Sequence, residues 1–162
     1  TVIESETLEL KKEKVRVSKI VSETVNDLNK KLKDVSVEVS DLSALGEIFA
    51  DKEKIKEALG CILENAVKFN KSPKKSVKIT GELQSGAVAI SIEDNGSGFP
   101  LSEKEKIFEK FYQIEESFTG QVAGAGLGLP LAKRIISAHG GSISVASKIN
   151  EGSKFTITIP EK

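Results

Sequence analysis

Lys52-Glu53-Lys54-Ile55-Lys56-Glu57-Ala58-Leu59-Gly60-Cys61-Ile62-Leu63-Glu64-Asn65-Ala66-Val67-Lys68-Phe69 is the stretch from which the rest of the sequence can be read. Its apolar positions Ile55, Ala58, Leu59, Ile62, Leu63, Ala66 and Phe69 recur every three or four residues, so they line one face of a helix that buries this face against a core. Asp51 stands where an N-cap is expected, and the segment Asn70 to Ser76, with Pro73 in it, stops the helix. Residues 77–83 and 87–93 then alternate apolar and polar on either side of Gln84-Ser85-Gly86, the pattern of a β-hairpin. A one-faced helix followed by one-faced strands needs two layers to bury both.

Working upstream, Val35, Val37 and Val39 alternate as a half-buried strand, and Ile48-Phe49-Ala50 forms another short one. Ile20, Val21, Val25, Leu28 and Leu32 share a helical face after Ser18, which predicts a helix over 18–33 capped by that serine, preceded by a short strand at Val15-Arg16-Val17. Residues 1–13 are mostly polar and are expected to be a linker, leaving 14–162 as one domain. Working downstream, Ser102 and Glu105 make a capping box for a short helix to about residue 111. Gln113 to Ala123 is polar without a sustained period and reads as a mobile loop. Gly124 to Leu129 leads into a helix that ends at His139 before Gly140-Gly141, and 142–147 with 154–160 close a final hairpin around Asn150-Glu151-Gly152. The order predicts an α+β two-layer sandwich, a mixed and largely antiparallel sheet with helices on one face.

Composition narrows the function. The 162 residues carry 24 basic and 24 acidic side chains with no long run of one sign, which argues against nucleic acid as a partner and against membrane contact. A single cysteine and a single histidine exclude an intrachain disulfide and a zinc cluster of Cys and His ligands, and the expected location is the cytoplasm. No stretch reaches the roughly 18 apolar residues of a membrane span.

Two glycine clusters need explaining: Gly96 and Gly98 after a strand, and Gly124, Gly126 and Gly128 at the start of a helix. Unsatisfied N–H groups and the helix dipole make a helix start a cradle for phosphate, and glycines let phosphate oxygens come close. The spacing fits neither the dinucleotide fingerprint nor a P-loop. Asp94 ends an apolar strand, where its carboxylate either accepts a donor such as the exocyclic amine of adenine or simply closes a turn with Asn95-Gly96. Asn65 and Lys68 lie three apart on one face of the long helix. Asn65 offers Mg²⁺ a carbonyl oxygen and Lys68 offers phosphate a charge, or the pair is a solvated helix end.

Leu59–Phe69, Asp94-Asn95-Gly96-Ser97-Gly98-Phe99-Pro100, Ile107-Phe108-Glu109-Lys110-Phe111-Tyr112 and Gly124-Ala125-Gly126-Leu127-Gly128-Leu129 follow one another in the order of the N, G1, F and G2 boxes of sensor histidine kinases. Over residues 14–160 the sequence resembles their catalytic and ATP-binding domain. The resemblance implies the Bergerat ATP-binding fold shared with gyrase, the Hsp90 chaperone and MutL, with ATP and Mg²⁺ as ligands. It implies that Asn65 holds the metal, Lys68 a phosphate, Phe69 the nucleoside edge and Asp94 the adenine amine. Gly96 and Gly98 would let the chain pass close to the base, the stretch from Phe108 to Tyr112 would anchor the ATP lid formed by 113–123, and Gly124, Ala125, Gly126, Leu127, Gly128 and Leu129 would wrap the phosphates.

By the same resemblance the γ-phosphoryl of Mg-ATP goes to a histidine on an upstream dimerisation domain and then to the receiver domain of a response regulator. The segment itself is expected to be monomeric and the parent protein a homodimer, with a membrane anchor, if there is one, outside these residues. His139, beside Gly140, is expected to be structural. Cys61 stands where the family often has asparagine, Gln113 where many members have arginine and Ala125 where threonine is frequent. These departures keep two alternatives open: a degenerate nucleotide-binding scaffold, and an anti-sigma-factor serine kinase of the same fold.

Overall fold

The computed structural model describes residues 9–68, 70–99, 106–108 and 128–161. Among them are three helices, α1 (Val17–Asp27), α2 (Lys52–Lys68) and α3 (Gly128–Ala138). The strands are β1 (Glu13–Arg16), β2 (Val35–Val39), β3 (Glu47–Ala50), β4 (Lys75–Gln84), β5 (Ala87–Asp94), β6 (Ser142–Lys148) and β7 (Gly152–Pro160). Five strands form one sheet in the order β2-β4-β5-β7-β6, and β1 pairs with β3 in a separate ribbon. Only the β2–β4 pair in the large sheet is parallel. The expected mixed, largely antiparallel α+β sandwich is what the chain forms.

Side-chain alternation decides the layers. On β5, Val88, Ile90 and Ile92 are buried, and on β7, Phe155, Ile157 and Ile159; they join Ile55, Leu59, Ile62 and Leu63 of α2 and Ile135 and Ile136 of α3 in one core. On the alternate positions Ser91 and Thr156 face each other with hydroxyl oxygens 2.9 Å apart, as suits the sheet's polar face. Ile107 is buried in the core too, and Phe108 meets Phe155 edge to face at 6.2 Å, so the described part of the third motif is tied to β7.

Several boundaries differ from expectation: the first strand runs Glu13–Arg16 rather than 15–17, the last begins at Gly152 rather than 154, and both ends of the first helix move. The first helix ends at Asp27 rather than 33, and 28–34 continue as turns in which Leu32 N–H bonds Leu28 O and Val35 N–H bonds Leu32 O. Asn26, Asp27 and Asn29 account for this, since their short polar side chains compete for backbone groups and favour turns over helix. Leu32 stays buried from the turn, which is why the helical spacing of the apolar residues outlasts the helix. Nor does Ser18 cap: the helix begins at Val17, whose N–H is taken by Gly46 O at 3.0 Å. The capping-box residues Ser102 and Glu105 lie outside the described residues, as does the expected loop at 113–123.

Asp51 caps α2 as expected, its Oδ1 accepting Lys54 N–H at 3.2 Å, while Oδ2 accepts Lys11 N–H at 2.9 Å. The same residue donates its own N–H to His139 Nε2 at 3.1 Å, and His139 Nδ1 lies 2.9 Å from Ile135 O. A carbonyl only accepts, so Nδ1 carries the proton and Nε2 is the bare acceptor. His139 is therefore a buried tie between the start of α2 and the end of α3, as its place beside the helix stop implied. No described helix is long and apolar enough to cross a membrane.

Candidate functional site

The site grows from the ends of α2, β5 and the start of α3. On α2, Asn65 is half-buried and Lys68 is exposed at the helix's last residue. Among the described residues nothing hydrogen-bonds either side chain, so an amide and an ammonium remain available to a ligand. Gly128 opens α3 against the same helix: a Cβ there would lie 3.8 Å from the Cβ of Cys61, and Leu129 turns into the core. Burial pushes the Cys61 thiol up to about 11, with Glu64 and Glu57 adding to the rise, so it sits protonated as a small packing group.

Asp94 ends β5 half-buried, with Oδ1 accepting Gly96 N–H at 2.8 Å. Burial raises its carboxyl to about 6, Glu93 adds a little, and the Gly96 and Ser153 N–H donors pull the other way. The Asx turn proposed from the sequence is thus real, and with Gly96 and Ser153 each donating one N–H the carboxylate keeps further lone pairs for a donor. The two readings of Asp94 are compatible.

The loop that follows is pressed onto the β6–β7 hairpin. Gly98 has φ +64°, and a Cβ on it would fall 2.0 Å from Lys148 O. Gly152 across from it has φ +95° with Asp94 O in the same relation at 2.1 Å. Neither position admits a side chain, so these glycines serve close backbone approach. Asn150 N–H bonds Ser97 O at 2.6 Å, and Phe99 N–H bonds Ser147 Oγ at 2.9 Å, which fixes the loop at both ends.

Of the residues singled out from the sequence, the fold brings Asn65, Lys68, Gly128 and Leu129 to the α2–α3 side and Asp94, Gly96 and Gly98 to the end of β5. Phe69, Tyr112, Gly124, Ala125, Gly126 and Leu127 lie outside the described residues, as does Gln113. Missed from the sequence were Asn70, Asn95 and Ser147, which hold the loop without belonging to the glycine pattern. The Asn95-Gly96 pair was visible as a turn signal, whereas nothing local marks Asn70 or Ser147. A roomier hollow of about 810 Å³ between α1 and β2 is lined by Val25, Leu32, Val35 and Val37 and lies away from these groups.

The donors and acceptors fit a nucleotide with a divalent cation. The Asn65 amide oxygen is a donor of the type a hard ion would accept, the Lys68 ammonium would suit phosphate, and an exocyclic amine would suit Asp94.

The profile of a family described as histidine kinase-, DNA gyrase B- and HSP90-like ATPases matches residues 50–162. The chain is 33% identical over 150 residues to the circadian input-output histidine kinase CikA of Synechococcus elongatus, covering 90% of the chain and 20% of that protein. It is 43% identical over 123 residues to the signal transduction histidine-protein kinase AtoS of Escherichia coli, covering 75% of the chain and 19% of that protein. It therefore spans about a fifth of the length of these two curated relatives. The catalytic domain of the histidine kinase ThkA superposes with a TM-score of 0.75 at 26% identity, covering 95% of this chain and 97% of that one. Full-length ShkA, solved in complex with AMPPNP, superposes at 0.78 with 24% identity, covering 98% of this chain and 33% of that one.

Proposed function

Because the chain belongs to the family of histidine kinase-, DNA gyrase B- and HSP90-like ATPases, with sensor histidine kinases as its relatives, we propose that residues 14–162 form the catalytic domain that presents Mg-ATP to a phospho-acceptor histidine outside this chain, with 1–13 linking the two. The phosphoryl group then passes to the receiver domain of a response regulator. The observation that carries the reading is the disposition of Asp94: a half-buried carboxylate at the end of the central strand, held by backbone donors and keeping acceptor capacity for an amine. ShkA, of the same fold, binds an ATP analogue.

Asp94 accepts the adenine amine and so rejects a 6-oxo purine, whose acceptor would face a carboxylate. The Asn65 amide oxygen ligates Mg²⁺ and Lys68 pairs with phosphate charge. When bound, Mg²⁺ neutralises charge that develops on the transferring group. An acceptor imidazole nitrogen forms the new P–N bond as the γ-phosphorus bond to the bridging oxygen breaks, and the electron pair leaves with ADP. The chain contributes position and electrostatics to this transfer. It supplies no acceptor of its own, since both nitrogens of His139, its single histidine, are used in the interior.

Calorimetry with ATP and GTP, with and without Mg²⁺, tests the reading. Adenine-selective binding strengthened by Mg²⁺ is expected, and absence of ATP binding by a folded chain would overturn it. The scaffold alternative is favoured by one observation, the neutral Cys61 thiol in place of a polar amide beside Gly128. A chain that binds Mg-ATP but never phosphorylates a supplied dimerisation domain would decide for the scaffold.

A further inference from the structure

Asn95 is exposed, yet its side chain is fully engaged with the segment that leaves α2. Its Oδ1 accepts Asn70 Nδ2 at 2.8 Å and Ser76 N–H at 2.9 Å, while its Nδ2 donates to Lys74 O at 2.7 Å and Ser72 Oγ at 3.4 Å. Asn70, 2% exposed, completes the set by accepting Ser72 N–H on its own Oδ1 at 2.9 Å. The orientation of the Asn95 amide follows from these partners: reversing it would set an NH₂ against two donors and an oxygen against a carbonyl. Asparagine is the residue that satisfies this set, and aspartate, though isosteric, would oppose an oxygen to Lys74 O.

The clasp joins two parts of the site that the chain keeps apart. Asn95 directly follows Asp94, and its backbone N–H also bonds Ser76 O at 3.3 Å. Asn70 lies two residues beyond Lys68, and a Cβ on Gly96 would meet Asn70 Cα at 3.3 Å and Asp94 Oδ1 at 2.9 Å. The loop carrying Asp94 and Gly96 thus rests directly on Asn70, just past the end of the helix that carries Asn65 and Lys68. We propose that the Asn70–Asn95 amide clasp is the positioning device that fixes the base acceptor Asp94 relative to Asn65 and Lys68 on α2, so that Asn95 determines purine selectivity through Asp94 without touching the nucleotide. This rests on the nucleotide reading above for its selectivity, while the clasp itself does not.

The test compares Asn95→Ala and Asn95→Asp with the unaltered chain in affinity for ATP and for inosine triphosphate, which carries a 6-oxo group in place of the amine. Loss of the clasp is expected to weaken ATP about tenfold in Asn95→Ala, with a smaller loss in Asn95→Asp, and to leave inosine triphosphate unweakened or bound more tightly, since displacing the carboxylate relieves its clash with the 6-oxo group. In an Asp94→Asn background, Asn95→Ala is expected to cost no further ATP affinity, because its effect runs through Asp94. Equal weakening of both nucleotides, or additive losses in the double variant, would overturn the proposal and leave Asn95 a merely structural residue. Hydrogen exchange of the Gly96 amide, bonded to Asp94 Oδ1, reads the clasp without nucleotide. Faster exchange at Gly96 in Asn95→Ala supports it even if the chain fails to bind ATP, and unchanged exchange overturns it. Should Asn95→Ala fail to fold, the isosteric Asn95→Asp carries the same comparisons.

Discussion

The base end and the phosphate end of the site are built on opposite plans. Around Asp94 the backbone itself makes the surface: Gly98 and Gly152 pack carbonyl against α-carbon, Gly96 N–H fills one carboxylate position, and Ser147 and Asn95 hold the flanks. On α2, by contrast, half-buried Asn65 borders the apolar face and Lys68 stands exposed at the last helical residue, and among the described residues nothing hydrogen-bonds their side chains. One end is bound up with the fold and the other can change chemically while the fold stays. Recognition of the base is therefore costly to alter, and handling of the phosphates is open to alteration.

Gly98→Ala should break the comparison most severely. A methyl group at φ +64° meeting Lys148 O should cost about 3 kcal/mol of stability, measured by urea denaturation, and abolish binding by displacing the loop. Asp94→Asn comes next. It should weaken ATP by about 2–3 kcal/mol, roughly a hundredfold, by calorimetry.

Asp94 also sets opposite pH responses for folding and binding. Its folded carboxyl, raised to about 6 from 3.8, binds a proton that the unfolded chain has lost, so between those values its contribution to stability falls as pH rises. The span amounts to about 2–3 kcal/mol, seen as the difference in unfolding free energy between the unaltered chain and Asp94→Asn across pH 4 to 7. Affinity for ATP should run the other way, weakening as pH drops through about 6, because protonation removes the charged acceptor.

Asn65→Ala sharpens the other side. It should weaken Mg-ATP by about 1–1.5 kcal/mol, close to tenfold, shrink the dependence on Mg²⁺, and move stability by no more than about 0.5 kcal/mol. Smallest of all is Lys31→Ala. Its 2.7 Å pair with Glu64 joins groups 62% and 43% exposed, so its loss should cost at most about 0.5 kcal/mol and vanish in high salt.

The contrast also explains what could be read in advance. The α2 face and the β4–β5 hairpin were legible because burial imposes a strict period on Ile55 through Ala66 and on Val88, Ile90 and Ile92. The end of α1 was not, since Leu28 and Leu32 keep helical spacing although 28–34 are already turns. Which strand pairs in parallel was equally hidden: β2 lies beside β4 because α2 crosses between them, a relation no local pattern encodes. Asn65, Lys68 and Asp94 stood out as polar residues at the ends of apolar runs. The clasp did not, because Asn70 and Asn95 acquire their meaning only when a helix end and a strand end come together.

Strands β5 and β7 are neighbours in the sheet, with Asp94 opposite Ser153, although α3 and β6 intervene in the chain. Phe99 is fastened to Ser147, and Gly128 abuts Cys61, so the stretch joining them starts and finishes at fixed posts. The pairing of β5 with β7 thus holds the base acceptor on one side, and the packing of Gly128 on α2 holds the helix start on the other, independently of the length of chain that separates them in the sequence.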